Sequence, residues 1–272
     1  GPEQVRFNGR RSKKGDRLPS GAQMRLEQAP EAADFAPEPN AELPLDVLFE
    51  DEHLVVVNKL RGLPTHPLQR TERATLAQAL LHRYPDMAGV GYALREPGIL
   101  HRLDTDTSGV LVAARSTAAF EALRATQRAG LWTKEYLAYC EGLPRTPDRI
   151  EAALAPDPED ARRMRVVEAR AGGSEAGSRR EAAPRVTELV SARALGALRT
   201  ADGARVQISA VRVTAEKATR HQIRVHLAYY GHPLVGDTLY GGAPLADDAS
   251  PAAHWLHAAA ISFPHPVHAG QR

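Results

Sequence analysis

The chain has 272 residues, enough to bury one large core, or one large and one small. Its 43% hydrophobic and 25% charged content is ordinary for a globular protein, and a net charge of +2 imposes no overall field on a partner. The single cysteine, Cys140, excludes an internal disulfide and a multi-cysteine zinc site. No apolar run approaches the roughly 18 residues that span a bilayer and no secretory leader is visible, so the chain reads as cytoplasmic, with no membrane partner.

Residues 3–27 read as a small β-hairpin unit: Val5 and Phe7 alternate with polar neighbours, and Asn8-Gly9 supplies a turn dipeptide. Arg6, Arg10, Arg11, Lys13, Lys14 and Arg17 cluster here against one acid, Asp16, as a patch able either to contact phosphates or to stay solvated. Residues 28–44, rich in Ala, Pro and Glu, read as a linker, and the main domain covers 45–272. Val47-Leu48-Phe49 and the apolar run at 54–57 flank a charged turn and predict a hairpin. Thr75 and Gln78 have capping-box spacing, and Leu76, Ala79 and Leu80 follow at helical spacing.

The run at 101–109, H-R-L-D-T-D-T-S-G, is turn-rich and leads into Val110-Leu111-Val112-Ala113-Ala114, which reads as a buried strand. Function tends to sit on loops held by such scaffolds, which singles out Asp104. Ser116 caps a second helix that runs to Gly130, with Phe120 and Leu123 inward. Residues 134–140 read as a strand. Residues 155–184 are polar, carry a second basic cluster that includes Arg162, Arg163, Arg165 and Arg170, and read as an exposed insertion. Val206, Ile208, Val211 and Val213 form a strand whose parity changes near Ser209-Ala210, which suggests a bulge. Residues 221–230 read as a helix stopped by Gly231 and Pro233. Strands and helices mix without regular alternation, so the fold class is α+β with a mostly antiparallel sheet.

The longer string H-R-L-D-T-D-T-S-G-V-L-V-A-A-R closely resembles the catalytic signature of the RluA family of RNA pseudouridine synthases, and further blocks follow in order. These are K-L-R-G-L-P-T-H-P at 59–67, K-E-Y-L-A at 134–138, H-Q-I-R-V-H-L at 221–227, G-H-P-L at 231–234, G-D-T-L-Y-G at 236–241, and L-H-A and F-P-H-P near the end. One departure stands out: the family's T-G-R-x before H-Q-I-R is replaced by Lys217-Ala218-Thr219-Arg220, which moves the arginine one position later. The N-terminal string V-R-F-N-G-R-R-S-K-K-G resembles the last part of a small RNA-binding module first seen in a ribosomal protein, without that module's two helices.

The resemblance implies a bent central sheet flanked by helices, the pseudouridine synthase fold, with a small N-terminal hairpin unit. It implies isomerisation of specific uridines in RNA without a cofactor. Asp104 would be the catalytic carboxylate, adding to the sugar or base or removing the sugar's 2′ proton; either route needs it ionised. Arg224 matches the basic partner that makes an ionised carboxylate tolerable in a dry pocket. Tyr136 matches the family's active-site tyrosine, whose ring can stack on a flipped uracil. Arg102 would contact RNA, and Lys134 would lie on the same substrate side. His101, placed with them, is expected to hold the turn together rather than act as acid or base. Arg10, Arg11 and Lys13 are the RNA contacts expected of the N-terminal unit. Each has a plainer alternative: a turn-capping Asp104, a surface Arg224, a core Tyr136, an Arg102 spent on an ion pair, a basic tail.

His221 and His226 are five apart and point about 140° from each other on a helix, so no catalytic metal is expected. Neither G-x-G-x-x-G nor G-x-x-x-x-G-K-[ST] occurs, so no nucleotide cofactor is implied. The expected partner is RNA, with large-subunit ribosomal RNA favoured and tRNA possible, bound by a monomer that flips its target base. The rival readings are a non-catalytic RNA-binding or assembly factor on the same fold, and a hydrolase using Asp104, which would need a second carboxylate about 5–5.5 Å away.

Overall fold

The computed structural model describes residues 5–7, 10–11, 21, 24–26, 34–167, 183–216, 218–246 and 253–267. By its internal contacts the chain divides into two units, Gly1–Ala36 and Pro37–Arg272. In the first, β1 (Val5–Phe7) pairs antiparallel with both β2 (Arg10–Arg11) and β3 (Met24–Leu26), one strand more than the expected hairpin. Part of the segment expected as linker belongs to the second unit, where Asn40 bonds the main-chain oxygens of Gln78 and Arg73.

The second unit is built on nine strands in the order β4-β5-β6-β12-β7-β11-β10-β8-β9. Their ranges are β4 Asp46–Glu50, β5 Leu54–Lys59, β6 Ser108–Ala114, β7 Thr133–Glu141, β8 Asp148–Pro156, β9 Met164–Val167, β10 Arg185–Arg199, β11 Arg205–Thr214 and β12 Leu256–Ser262. Every pairing is antiparallel except β12 with β6. This is the α+β, mostly antiparallel architecture that the mixed pattern of elements implied.

Period-two alternation gives the sheet two apolar faces. Val55, Val57, Leu111, Ala113, Tyr136, Ala138, Val211 and Val213 turn to one side, where α1 (Leu76–Arg83) and α3 (Gln222–Tyr229) lie on them through Leu76, Leu80, Ile223 and Leu227. Leu54, Val112 and Ala114 turn to the other, against Phe120 and Leu123 of α2 (Thr117–Arg128) and against Trp132. Helix α2 starts as its sequence indicates: Ser116 Oγ accepts from the Ala119 N–H at 3.2 Å. Gln78 likewise reaches back to the Thr75 N–H at 3.0 Å.

Two expectations are corrected. Strand β11 has no bulge at Ser209-Ala210, and its register against β7 runs unbroken from Ile208 to Thr214. Its parity changes because it serves two cores: Val206 and Ile208 pack with Val235 and Leu245, whereas Val211 and Val213 face the α1–α3 side. The irregularity lies in its neighbour β10, whose register against β11 shifts twice, between Leu189 and Ser191 and, beside Ser209, between Ala194 and Gly196. Nor is the stretch after residue 155 simply an exposed insertion. Strands β8 and β9 pair as a hairpin, and Met164 is buried with Leu154, Val225 and Tyr240. Residues 168–182, Arg170 among them, lie outside the described residues.

Gly109 on β6 is paired directly with Ala258 on β12. It sits at φ +113°, and a Cβ there would collide with the main chain of Ala258. Backbone cannot swing aside as a side chain can, so Gly109→Ala is expected to lower Tm by at least about 5 °C, the effect of roughly 2 kcal/mol in a chain this size. Thermal unfolding followed by circular dichroism checks this.

Candidate active site

The loop before β6 is held from beneath by the block at 59–67. The buried Lys59 ammonium donates to the carbonyls of Leu60, Leu63 and Thr105 at 3.0, 2.6 and 2.9 Å, and burial lowers its pKa to about 8. Thr65 Oγ1 donates to the Leu103 carbonyl at 2.8 Å. The Thr107 N–H returns to the Asp104 carbonyl at 3.0 Å, which closes a turn of the kind such short polar runs favour. Thr107 and Ser108 then pair with His254 Nε2 and His257 Nδ1 at 2.7 and 2.9 Å. His101 Nε2 accepts from the Val112 N–H at 3.1 Å, and burial pushes its pKa well below the ordinary histidine value. A neutral imidazole that spends its acceptor on the strand is a structural tie for this loop.

This scaffold presents the Asp104 side chain, 20% exposed, to a cavity of about 650 Å³, within the range of about 300–1,000 Å³ that holds small ligands. Arg224 Nη1 donates to Asp104 Oδ2 at 3.1 Å. The same guanidinium sends Nε and Nη2 to Asp237 Oδ2 and Oδ1 at 2.7 and 2.8 Å, a bidentate pair around a carboxylate that is 0% exposed. Asp237 thus aims Arg224, and Arg224 holds one oxygen of Asp104. Burial pushes the Asp104 carboxyl upward, but His221 and Arg224 beside it outweigh this and hold it below the usual carboxylate range. Arg224 itself is raised further above its already high value: its two carboxylate partners outweigh burial.

Tyr136 and Lys134 are two apart on β7 and share its buried face, and both line the cavity. Tyr136 is 5% exposed, and burial together with the Asp104 charge raises its pKa, so the phenol stays protonated. Lys134 is 8% exposed, and burial brings its pKa to about 8. Arg102 is exposed at the cavity wall and makes no ion pair with any described residue. Arg185 and Arg220 add positive charge to the lining.

The structure therefore brings six residues singled out in the sequence, Asp104, Tyr136, Arg224, Arg102, Lys134 and His101, to one cavity. Arg10 and Arg11 lie on β2 of the smaller unit, and Lys13 lies outside the described residues. Arg220, the displaced arginine, donates to the carbonyls of Ala161 and Arg162 at 3.2 and 2.7 Å and so ties the β8–β9 turn to the start of α3. Sequence reasoning passed over Asp237 and Tyr240, although both stand in the G-D-T-L-Y-G block whose side-chain roles it left unassigned.

The nine-stranded, mostly antiparallel sheet with its helices matches the fold of solved pseudouridine synthase structures. The human structure titled RNA Pseudouridylate Synthase Domain Containing 1 superposes with a TM-score of 0.61 at 25% identity, over 86% of this chain and 84% of that one. The model of the RNA pseudouridylate synthase family matches residues 53–229. The chain belongs to this family, whose RluA-type members its motifs resemble. Among curated proteins it is 35% identical over 238 residues to ribosomal large subunit pseudouridine synthase D of Xylella fastidiosa, covering 84% of this chain and 64% of that one. It is 34% identical over 232 residues to the protein of the same name from Zymomonas mobilis, covering 83% and 67%. The chain thus spans about two thirds of the length of these relatives.

Proposed function

We propose that this chain is an RNA pseudouridine synthase that isomerises uridines in large-subunit ribosomal RNA, with Asp104 as the catalytic carboxylate. The carrying observation is the asymmetry of that carboxylate. Oδ2 is taken by Arg224, while no described residue hydrogen-bonds Oδ1, which is left for a substrate in the cavity that Tyr136 lines. The family membership and the names of the relatives above support the reaction and the RNA class, and the resemblance of the N-terminal strands to an RNA-binding module agrees with them.

The reaction needs no oxidant and no activated donor. The N1–C1′ bond breaks, the base turns, C5 bonds C1′, the C5 proton leaves and N1 gains one. Asp104 enters either by covalent attack or by removing the sugar's 2′ proton. Protonated Tyr136 offers its ring to the flipped base, and Lys134 and Arg102 offer positive charge to the base oxygens and the flanking phosphates. The uridine must leave its stack to reach Asp104, and contacts to the flanking backbone offset that cost.

Pseudouridine mapping across all RNAs, in cells with and without the gene, tests the reading. Loss of one or a few sites in large-subunit ribosomal RNA is the expected result. Loss confined to tRNA would overturn the substrate, and an unchanged map would overturn the reaction.

A further inference from the structure

Strand β9 is connected to the catalytic carboxylate through two side chains. The Met164 N–H donates to the Tyr240 hydroxyl at 2.8 Å, and that hydroxyl lies 2.7 Å from His221 Nδ1. A phenol oxygen that already accepts a hydrogen bond still has its own hydrogen to give. Tyr240 therefore donates to Nδ1, which leaves the imidazole proton on Nε2. His221 Nε2 faces Asp104 Oδ2 at 3.8 Å, the same oxygen that accepts from Arg224. That distance is too long for a full hydrogen bond, so the N–H acts on the carboxylate as an oriented dipole.

The imidazole reaches this place through an unusual backbone. His221 precedes α3 at φ +56°, and it is the non-glycine residue found at positive φ among those described. Such a conformation costs of order 1 kcal/mol and persists only where its surroundings hold it. Tyr240 is held in turn: the guanidinium carbons of Arg224 and Arg163 lie 5.0 and 5.7 Å from its ring centroid. Arg163 precedes β9, and Arg220 grips the same hairpin turn.

We propose that Tyr240 and His221 are positioning residues for Asp104: they keep Oδ2 occupied from the protein side, leave Oδ1 to the substrate, and link the placement of the β8–β9 hairpin to the reacting carboxylate. This rests on Asp104 being the catalytic group. Charged and titratable groups face His221 from every side: Asp104 from its loop, Asp237 and Tyr240 from the turn after α3, His254 from the segment before β12, and Arg220 and Arg224 from its own stretch of chain. Burial, only partly offset by Asp104, lowers the His221 pKa to about 4, so the ring is neutral at working pH. Without the Tyr240 hydroxyl, Nδ1 becomes free to take a proton and that pKa rises.

The test combines two readouts. Nitrogen-15 spectra of histidine-labelled protein are expected to report His221 as the Nε2–H tautomer in the wild type, and as a mixture in Tyr240→Phe. For the Phe variant on RNA, kcat is expected to fall about tenfold with KM within about twofold, the pattern of lost transition-state positioning. Its acid limb is expected to move up by about one pH unit, which corresponds to a tenfold gain in proton affinity. That shift should vanish in the double variant with His221→Asn, because Asn tolerates the positive φ but does not titrate. An Nδ1–H tautomer in the wild type, an equal loss of activity at every pH, or a shift that survives in the double variant would each overturn the proposal. If Tyr240→Phe does not fold, the wild-type tautomer and the pH profile of His221→Asn decide. If the wild type makes no pseudouridine at all, the functional reading fails, while the spectra still decide the link between Tyr240 and His221.

Discussion

Asp104→Asn is expected to slow pseudouridine formation by about 10²- to 10⁴-fold if the carboxylate acts as a base, and to abolish it if the carboxylate adds to the substrate. The argument is local. Asn keeps the shape of Asp and leaves an oxygen for Arg224 Nη1, now 3.1 Å from Oδ2, while Asp237 still neutralises the guanidinium. The Thr107–Asp104 turn is made by main-chain atoms and is untouched. Fold and RNA affinity should therefore persist, and only the chemistry should fail. Turnover, equilibrium binding to the same RNA and circular dichroism on one preparation check all three. Complementation by the same variant separates the rivals: an assembly factor would keep its cellular function without the carboxylate, and an enzyme would lose the modified sites.

Asp237→Ala is expected to be the most damaging single change to stability near the site. Arg224 is buried, and Asp237, with no exposure, supplies two of its three carboxylate bonds. Removing one partner of a buried ion pair leaves a charge with inadequate compensation, a loss of about 3–5 kcal/mol. Urea unfolding measures it. The surviving partner predicts a second effect. Freed from Asp237, the guanidinium can turn two of its three nitrogens onto Asp104 and occupy Oδ1, so the folded fraction should also lose turnover. The double variant Arg224→Leu/Asp237→Leu is expected to be more stable than Asp237→Ala, because it removes both charges together. Equal stability of Asp237→Ala and the wild type would contradict this account of how Arg224 is held.

Much of the candidate site was legible because its residues stand in short contiguous strings. Asp104, Tyr136 and Arg224 each sit in a block whose residue types and order are distinctive, and one cavity receives all three. Asp237 and Tyr240 were harder to read because their partners lie elsewhere: Asp237 meets Arg224 thirteen positions back, and Tyr240 meets Met164 across 76 residues. Neither separation has a periodicity that a sequence reveals. The same holds for the fold. Strands β5 and β6 announce themselves as apolar runs because both their faces are covered. Strand β10 does not, because its side chains, including Val190 and Leu195, are largely exposed and it is held by main-chain pairing to β11 and β8. In β11 the alternation was visible, but its switch of face was mistaken for a bulge, because one strand serves two cores.

The most direct measurement is the release of tritium from RNA labelled at carbon 5 of uridine by the purified protein, with the products analysed for pseudouridine and for free uracil. Stoichiometric tritium release with pseudouridine in the chain and no free base is the predicted result. No release by a folded protein from large-subunit ribosomal RNA, or release of uracil in place of pseudouridine, would contradict it.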